Sequence, residues 1–283
     1  MRLSLLVTGA TGFTGQRVVR ALLLDGHRVT AFVRASSDHA VLPPGVGIAT
    51  GDLAEPATLR AALAGHDALV NVASLGFGHA KGIVEAARQA GIGRSVFLGT
   101  TAVRTTLAAP SKATRLDAER LVLEGGVGAT LLRPTMIYGA PGDRNLERLL
   151  RFVGRWPIVP IPGDGRGLQQ PVHVEDVARA VAAVVVRGDL AGRAFDVPGP
   201  TPLTFDAIVR TVAAVIARRR FFVHVPAFLA RVVASREQIA RLAEDKSSDP
   251  HAAASAFGYA PRAFEVGIRE EARALGLLAE AAT

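Results

Sequence analysis

The first 135 residues alternate between short apolar runs and amphipathic stretches. The runs are rich in Val, Leu and Ile and are bounded by glycine or aspartate, whereas the stretches repeat apolar positions about every 3.6 residues and end in glycine. They predict strands at 3–9, 28–34, 68–74, 95–101 and 129–135, and helices at 15–26, 57–65, 79–91 and 112–126. This alternation predicts an α/β fold with a doubly wound parallel Rossmann-type sheet, covered by helices on both faces.

Beyond residue 140 the pattern becomes less regular. Two loops rich in proline and glycine, 138–145 and 156–167, flank one helix-like stretch, and a helical run follows the sequence VHVEDVARAV. A late strand, AFDVPGP, precedes residues 205–283, which we expect to be mostly helical. We therefore predict an α/β domain at 1–135 and a smaller, mostly helical substrate-binding lobe at 136–283, with one or two segments that return to the sheet. Such a lobe would cover the strand ends where open α/β sheets bind ligands.

The composition is that of a globular protein with a large apolar core. Of the 283 residues, 49% are hydrophobic and 20% are charged, and the mean hydropathy is +0.28. The chain has no cysteine, which excludes disulfides, thiolate chemistry and thiolate-rich metal sites, and is compatible with the reducing cytoplasm where we expect the protein. We expect no secretion signal and no membrane as partner, because the longest apolar runs reach only about half of the roughly 20 residues that span a bilayer.

The net charge of +8 comes from arginine. Of the 33 basic residues only Lys81, Lys112 and Lys246 are lysines, so 30 are arginines. They are scattered along the chain, and the one cluster, 218–220, has no interleaved aromatic residues of the kind found in nucleic-acid-binding surfaces. The scattered distribution of the arginines therefore argues against nucleic acid as a partner, whereas their positive charge favours phosphate-bearing ligands.

The sequence TGATGFTG, residues 8–15, follows the first predicted strand and opens the first predicted helix. Glycines at this spacing in a strand-turn-helix unit are typical of dinucleotide binding, because they allow the tight turn, the approach of a pyrophosphate and close packing of helix on strand. The helix N-terminus offers free N–H groups to the anion. The candidate contacts are Gly9, Thr11, Gly12, Phe13, Thr14 and Gly15.

The residue after the second strand favours NADP over NAD. Arg34, with Ser36 and Ser37 beside it, stands where an acidic residue would select the ribose 2′-hydroxyl of NAD, and its planar guanidinium suits a 2′-phosphate. Further along, Asp52 and Leu53 follow a third strand-like run and are candidates for contact with the adenine. A helix cap is the alternative role for Asp52. The first domain is thus predicted to bind NADP.

Several segments together resemble one superfamily. They are TGATGFTG, GD at 51–52, NVAS at 71–74, LLRPTMIYG at 131–139 and VHVEDVARAV at 172–181. The combination is similar to the short-chain dehydrogenases/reductases, in their extended and atypical branches of NAD-dependent epimerase/dehydratase-like proteins. FDVPGP and AFGYAPRAFEVGIREE also resemble the C-terminal lobe of that family, so the resemblance covers nearly the whole chain.

The resemblance implies positions for the reacting groups. Family members carry an active-site Ser or Thr after the fifth strand, which corresponds to Thr100 and Thr101, and a tyrosine acid four residues before a lysine that holds the nicotinamide ribose. Additional cofactor contacts are implied at Val72, Ala73, Pro134, Thr135 and Met136.

The tyrosine of that pattern is missing from residues 106–121. If Lys112 takes the lysine role, Ala108 stands in place of the tyrosine, and if Arg115 takes it, Ser111 does. The spacing along the predicted helix favours the second alignment, and both remain open. Carbonyl reduction needs a proton donor whose pKa is near ambient pH, which neither serine nor arginine provides without a strong perturbation.

Three hypotheses follow for function. The first is an NADP-dependent enzyme that reduces, epimerises or isomerises a small molecule, with nucleotide sugars as one candidate and the proton supplied by Lys112, His173, a water or the substrate. The second is a non-catalytic NADP-binding sensor or regulatory protein, and the third is a structural protein with a vestigial cofactor site. We expect Tyr138 to be a packing residue, with proton donation at the mouth of the pocket as its alternative role, and Tyr259 to lie in the distal lobe.

The resemblance also implies substrate contacts and an assembly. Family members bind the diphosphate of a nucleotide sugar in loops of the second lobe and often form homodimers through a helix bundle, so a homodimer is a candidate assembly. The corresponding polar residues here are Arg144, Asn145, Arg148, Arg166, Gln169 and Gln170.

Overall fold

A seven-stranded parallel sheet forms the centre of the molecule. The computed structural model describes residues 2–139, 141–143, 145–217, 219–226, 240, 242 and 244–278. The described strands are β1 (Ser4–Thr8), β2 (Arg28–Val33), β3 (Gly47–Thr50), β4 (Ala68–Asn71), β5 (Ser95–Leu98), β6 (Ala129–Pro134), β7 (Ile137–Tyr138), β8 (Ile158–Pro162), β9 (Leu168–Gln169), β10 (Val172–His173), β11 (Ala194–Val197), β12 (Leu203–Thr204) and β13 (Phe221–Val225).

The central sheet has the strand order β3, β2, β1, β4, β5, β6, β11, and all of its neighbouring pairs are parallel. Chain order reverses between β1 and β4, so the connections leaving these two strands diverge at their carboxyl ends. Open sheets of this kind bind ligands in the crevice at such a reversal. The structure confirms the predicted doubly wound Rossmann-type sheet.

Helices cover both faces of the sheet. The described helices are α1 (Phe13–Leu24), α2 (Pro56–Leu63), α3 (Ala80–Gln89), α4 (Ser111–Glu124), α5 (Leu146–Arg155), α6 (Val174–Val185), α7 (Phe205–Val215), α8 (His251–Phe257) and α9 (Phe264–Ala274). Helices α1 and α6 pack together on one face, and α2, α3 and α4 pack on the other. Burial of apolar side chains such as Val18 and Leu22 between helix and sheet supplies the main stabilisation of both layers. No helix in the described part of the chain is long and apolar enough to cross a membrane.

A second core lies under the C-terminal lobe. Helices α5, α7 and α9 bury Leu150, Val212 and Ile268 against one another, and Tyr138 closes this core on the side of the central sheet. The lobe is thereby seated beside the carboxyl ends of the parallel strands.

Two strands of the lobe, β8 and β13, were not predicted from the sequence. Residues 156–167 contain β8 rather than only a loop, and the region expected to be mostly helical contains β13, which pairs with β8 in parallel. Pro160 and Pro162 concealed this strand, because proline normally marks a loop. Among the described residues β8 pairs with β13 alone, and a strand with one open edge tolerates proline because the missing N–H can face that edge. The predicted helical stretch over 227–239 lies outside the described residues.

Candidate cofactor-binding and active site

In the glycine loop between β1 and α1, neighbouring backbone atoms occupy the space that a side chain on Gly9 or Gly15 would need. Gly9 has a φ of +68°, and a Cβ on it would lie 2.7 Å from the Ala73 nitrogen. A Cβ on Gly15 would lie 2.0 Å from the Gly9 carbonyl oxygen. Both positions thus require glycine. Gly9 needs it for its backbone conformation and for its contact with the segment after β4, and Gly15 needs it for the close approach of α1 to the loop.

The N-terminus of α1 is open to a ligand. Gly12 is the N-cap residue, no side chain caps the helix, and its first turn contains no acidic residue. The Gly12 N–H donates to the Gly9 carbonyl at 3.1 Å, which closes the turn. Unsatisfied N–H groups and the helix dipole together favour an anion at this end.

Hydrogen bonds of polar side chains connect the ends of β1 and β4 on either side of this loop. The Thr8 hydroxyl donates to Asn71 Oδ1 at 2.7 Å, and Asn71 Nδ2 donates to the Ala73 carbonyl at 2.9 Å. Thr8 and Asn71 are fully buried. The Val72–Ala73 segment therefore has a fixed position beside Gly9.

The residues expected to contact the adenosine lie at adjacent strand ends. Arg34 follows β2 and is exposed, while Asp52 and Leu53 follow the neighbouring β3 and are half-buried. The Asp52 carboxylate accepts from the Ala54 N–H at 2.9 Å, and the N-cap of α2 is Glu55. Asp52 therefore forms a local turn and does not cap α2.

A cleft of about 200 Å³ lies next to the glycine loop at the carboxyl ends of β4, β5 and β6. Its apolar wall includes Val72, Leu75, Leu98, Pro134 and Ile137. Its polar side chains are Thr14, Ser74, Thr100, Arg115 and Glu119. The cleft thus joins the start of α1, where an anion fits, to hydroxyl, guanidinium and carboxyl groups.

The two alignments of the missing tyrosine differ in their geometry. Arg115 lines the cleft, and its Nε lies 3.0 Å from where a Cβ on Gly76 would stand. Lys112 Nζ instead donates to the Thr105 carbonyl at 2.6 Å. Within the described residues, neither Lys112 nor Ser111 belongs to the cleft wall.

The threonines after β5 have different environments. Thr100 lines the cleft, and its hydroxyl oxygen accepts from the Ala102 N–H at 3.2 Å, so its own proton is available to a ligand. The Thr101 hydroxyl donates to the Pro134 carbonyl at 3.4 Å. Thr100 is therefore the threonine that faces a ligand in the cleft.

The residues at the end of β6 and just after it, Pro134, Thr135 and Met136, also have different environments. Pro134 lines the cleft, whereas the Thr135 hydroxyl donates to the Gln170 carbonyl and Met136 packs against the core of the C-terminal lobe. Only the first of the three meets the cleft.

Glu119 is an ionisable residue of the cleft wall that the candidate residues did not include. It is buried, and its Oε2 accepts from Arg133 Nε at 2.9 Å and Nη2 at 2.7 Å. Its Oε1 has no hydrogen-bond partner among the described residues and lies 2.8 Å from where a Cβ on Gly99 would stand. The four-residue spacing from Arg115 along α4, which puts both side chains on one helix face, is the signal that points to it.

Neither tyrosine lines the cleft. The Tyr138 hydroxyl donates to the Phe264 carbonyl at 3.4 Å and the Tyr259 hydroxyl to the Pro198 carbonyl at 2.6 Å. Burial raises the pKa of both phenols, which makes them poorer proton donors. Both side chains serve packing.

His173 has a structural environment as well. Its Nδ1 accepts from the Glu175 N–H at 3.3 Å and thus caps α6, while its ring stacks edge-on against Tyr138. Burial lowers the pKa of His173 to about 4, so the imidazole is neutral at physiological pH. A neutral histidine that acts as a helix cap outside the cleft is not placed to protonate a substrate there.

The loop residues expected to contact a substrate fall into two groups. Arg148 and Arg166 are exposed, whereas Asn145 Nδ2 donates to the Ile137 carbonyl at 3.2 Å. The buried Gln169 and Gln170 bind backbone groups of Glu244, Ser248 and Gly199. Both glutamines therefore hold the chain around residues 244–248 in place. Arg144 lies outside the described residues.

Known proteins resemble this chain in sequence. The family described as NAD(P)H-binding matches residues 9–187. A 2-alkyl-3-oxoalkanoate reductase of Stenotrophomonas maltophilia is 30% identical over 256 residues, which cover 77% of each chain. A ceramide reductase of Caulobacter vibrioides is 33% identical over 190 residues, covering 62% of this chain and 59% of that protein.

A solved structure extends the likeness to the whole fold. A nucleoside-diphosphate-sugar epimerase from Pseudomonas aeruginosa superposes with a TM-score of 0.82 over 99% of this chain and 100% of its own, at 17% identity. The family match covers more than half of the chain and includes the glycine loop and the cleft. The chain therefore belongs to the NAD(P)H-binding family.

Proposed function

We propose that this protein is an NADP-dependent oxidoreductase that acts on a carbonyl or alcohol group of a small molecule without a tyrosine acid. The observation that carries the proposal is that the uncapped N-terminus of α1 opens into the same cleft as Thr100 and Arg115. Two relatives that are reductases and an epimerase of similar fold support this class of chemistry.

The residues fit a dinucleotide. The backbone around Gly9 and Gly15 leaves no room for side chains, and the free N–H groups of α1 suit a pyrophosphate. Exposed Arg34 would hold the 2′-phosphate of NADP, and Val72 and Pro134 would line the nicotinamide end. The bound nicotinamide supplies the hydride acceptor or donor.

Thr100 and Arg115 act on the substrate oxygen. The Thr100 hydroxyl can donate a hydrogen bond to that oxygen, because its own oxygen accepts from the Ala102 N–H. Arg115 stabilises negative charge on it, because arginine stays protonated in proteins and donates through a fixed fork. Neither group can give up a proton readily at neutral pH, so the proton that completes a reduction comes from water in the cleft.

The first prediction concerns cofactor choice. In titrations with NADPH, NADP, NADH and NAD, followed by nicotinamide fluorescence or heat, we expect the phosphorylated pair to bind more tightly. Arg34→Ala should weaken that pair by about 1–3 kcal/mol, the size of a charge-assisted contact, and leave the other two nearly unchanged. Equal binding of all four cofactors to the native protein would reject the role of Arg34.

The second prediction separates the two alignments. We expect Arg115→Ala to lower NADPH affinity or turnover at least about tenfold, corresponding to 1.4 kcal/mol. Lys112→Ala is the matched control on the same helix and should have a smaller effect, because its amino group contacts the Thr105 carbonyl outside the cleft wall. The reverse ranking would favour the alignment on Lys112.

The substrate class is tested by a screen with two arms. Nucleotide sugars form one arm, following the epimerase-like fold, and 3-oxoalkanoates and ceramides form the other, following the names of the two reductase relatives. The absence of a tyrosine from the described cleft wall favours one other function, an NADP-binding regulatory protein. Stoichiometric NADPH binding without turnover in either arm would select that function.

A further inference from the structure

The two-stranded sheet of β8 and β13 has one apolar face directed to solvent. Its parallel register aligns Ile158 with Phe221, Pro160 with Val223 and Pro162 with Val225. Alternate residues of a strand lie on one face, so these six apolar side chains form a continuous surface. The exposed fractions are 57% for Ile158, 75% for Phe221 and 45% for Val223.

On the opposite face of the same sheet the β8 side is buried, whereas His224 of β13 is exposed and lies 3.2 Å from Asp206. Val159 and Ile161 are almost fully inaccessible, and Val159 belongs to the core of the C-terminal lobe. A sheet that covers a core normally alternates buried apolar residues with solvated polar ones. Here the solvent side is apolar as well, a feature that folding of the lobe does not require.

Arginines border this face at the end where both strands begin. Arg155 lies just before β8, with its guanidinium 5.7 Å from the centre of the Trp156 ring, and Trp156 is 51% exposed. Arg219 is exposed just before β13. No aspartate or glutamate occurs at 148–163 or 207–226 in the sequence. The carboxylates that flank these ranges are paired: Glu147 with Arg151, Asp164 with Arg166, and Asp206 with Arg210 and His224. The segments that form the face therefore carry net positive charge.

We propose that the exposed β8–β13 face docks the protein onto the surface of a membrane that contains anionic lipids. Apolar and aromatic side chains bordered by arginine are suited to the boundary between headgroups and acyl chains, where the rings enter and the guanidinium groups meet lipid phosphate. A second copy of the chain would bring a second set of arginines to the same patch, which disfavours self-association there. This peripheral contact needs no spanning helix, so it replaces the expectation of no membrane partner, which rested only on the length of the apolar runs. It also goes beyond the proposed chemistry.

The test is sedimentation of the full chain with vesicles. We expect binding to phosphatidylcholine vesicles that contain about 30 mol% phosphatidylglycerol, weaker binding to phosphatidylcholine alone, and loss of binding at high salt. Phe221→Ser should reduce the partition coefficient about tenfold, and Arg219→Gln about fivefold, as expected for one interfacial arginine. Phe77→Ser is the matched control, because Phe77 is also 75% exposed but lies in the loop after β4.

Ile158→Ser provides a second variant of the face, and thermal unfolding checks that each variant is folded. Equal sedimentation of Phe221→Ser and Phe77→Ser would overturn the proposal. So would a failure of the native chain to bind either vesicle. A dimer of the native chain that Phe221→Ser dissociates, without vesicle binding, would identify the face as a protein interface and overturn it too.

Discussion

A Gly15→Ala variant is expected to lose NADPH affinity by more than about 100-fold, equivalent to roughly 2.8 kcal/mol. The added Cβ would lie 2.0 Å from the Gly9 oxygen, 2.8 Å from the Gly9 carbonyl carbon and 2.9 Å from the Ala10 carbonyl carbon. All three are backbone atoms, so no side-chain rotation relieves the overlap. Helix α1 must instead move away from the loop, which redirects the N–H groups that would hold the pyrophosphate.

The same displacement lowers the free energy of unfolding. Helix α1 buries Val18, Val19 and Leu22 in the core between helix and sheet, and overpacking of this kind costs about 1–3 kcal/mol. Fluorescence titration with NADPH and denaturant unfolding measure the two effects separately. Gly93→Ala is the control, because a Cβ there meets no atom within 4 Å. Native affinity in Gly15→Ala would show that the dinucleotide does not bind at this loop.

The sequence predicted the parallel sheet well because its signals are local. Each strand and helix of the first 135 residues has its own apolar period and its own glycine boundary, and the glycine loop combines both in fifteen residues. The β8–β13 pair had no such signal. Its two strands are far apart in the chain, and Pro160 and Pro162 resemble loop residues until the pairing partner is known.

Only some of the residues that line the cleft were among the candidates, because tertiary contacts decide which side chains reach the cleft wall. Lys112 and Arg115 are three residues apart on α4, so they lie on neighbouring parts of one helix face and helical period alone does not separate them. The path of the preceding chain directs Lys112 to the Thr105 carbonyl and leaves Arg115 on the cleft wall. Burial of carboxyl groups, as in Glu119 and Glu271, depends entirely on such tertiary contacts.

Glu271 makes the stability of the lobe depend on pH. It lies on α9 and is only 1% exposed, and its carboxyl group lies against the Asp143 carboxyl group. Asp143, Glu147 and the Gly139 N–H are the polar groups that face it, and the Asp143 carboxylate already accepts from three N–H groups at the start of α5. Burial and the nearby Asp143 charge raise the pKa of Glu271 from 4.5 to about 8.

The direction of the pH effect follows from this shift. A carboxyl group with a higher pKa in the folded state holds its proton more tightly there, so its contribution is fully present below pH 4.5 and is lost as the pH rises through about 8. The loss is at most about 5 kcal/mol, taking roughly 1.4 kcal/mol for each pKa unit. His173 acts in the opposite sense, because burial lowers its pKa from 6.5 to about 4 and its contribution grows between those values. Measurements between pH 6.5 and about 9 therefore isolate Glu271 from His173.

In that range we expect the free energy of unfolding of the native protein to fall as the pH rises, and that of Glu271→Gln to stay nearly constant. The glutamine keeps the shape of the side chain but cannot ionise beside Asp143. Denaturant unfolding at several pH values measures both proteins, with Glu265→Gln as the control on the same helix, where the native side chain is exposed and pairs with Arg269. A slope in Glu271→Gln equal to the native slope would assign the pH dependence to another group. A flat line in Glu271→Gln alone would mean that α9 stays docked at neutral pH because Glu271 keeps its proton.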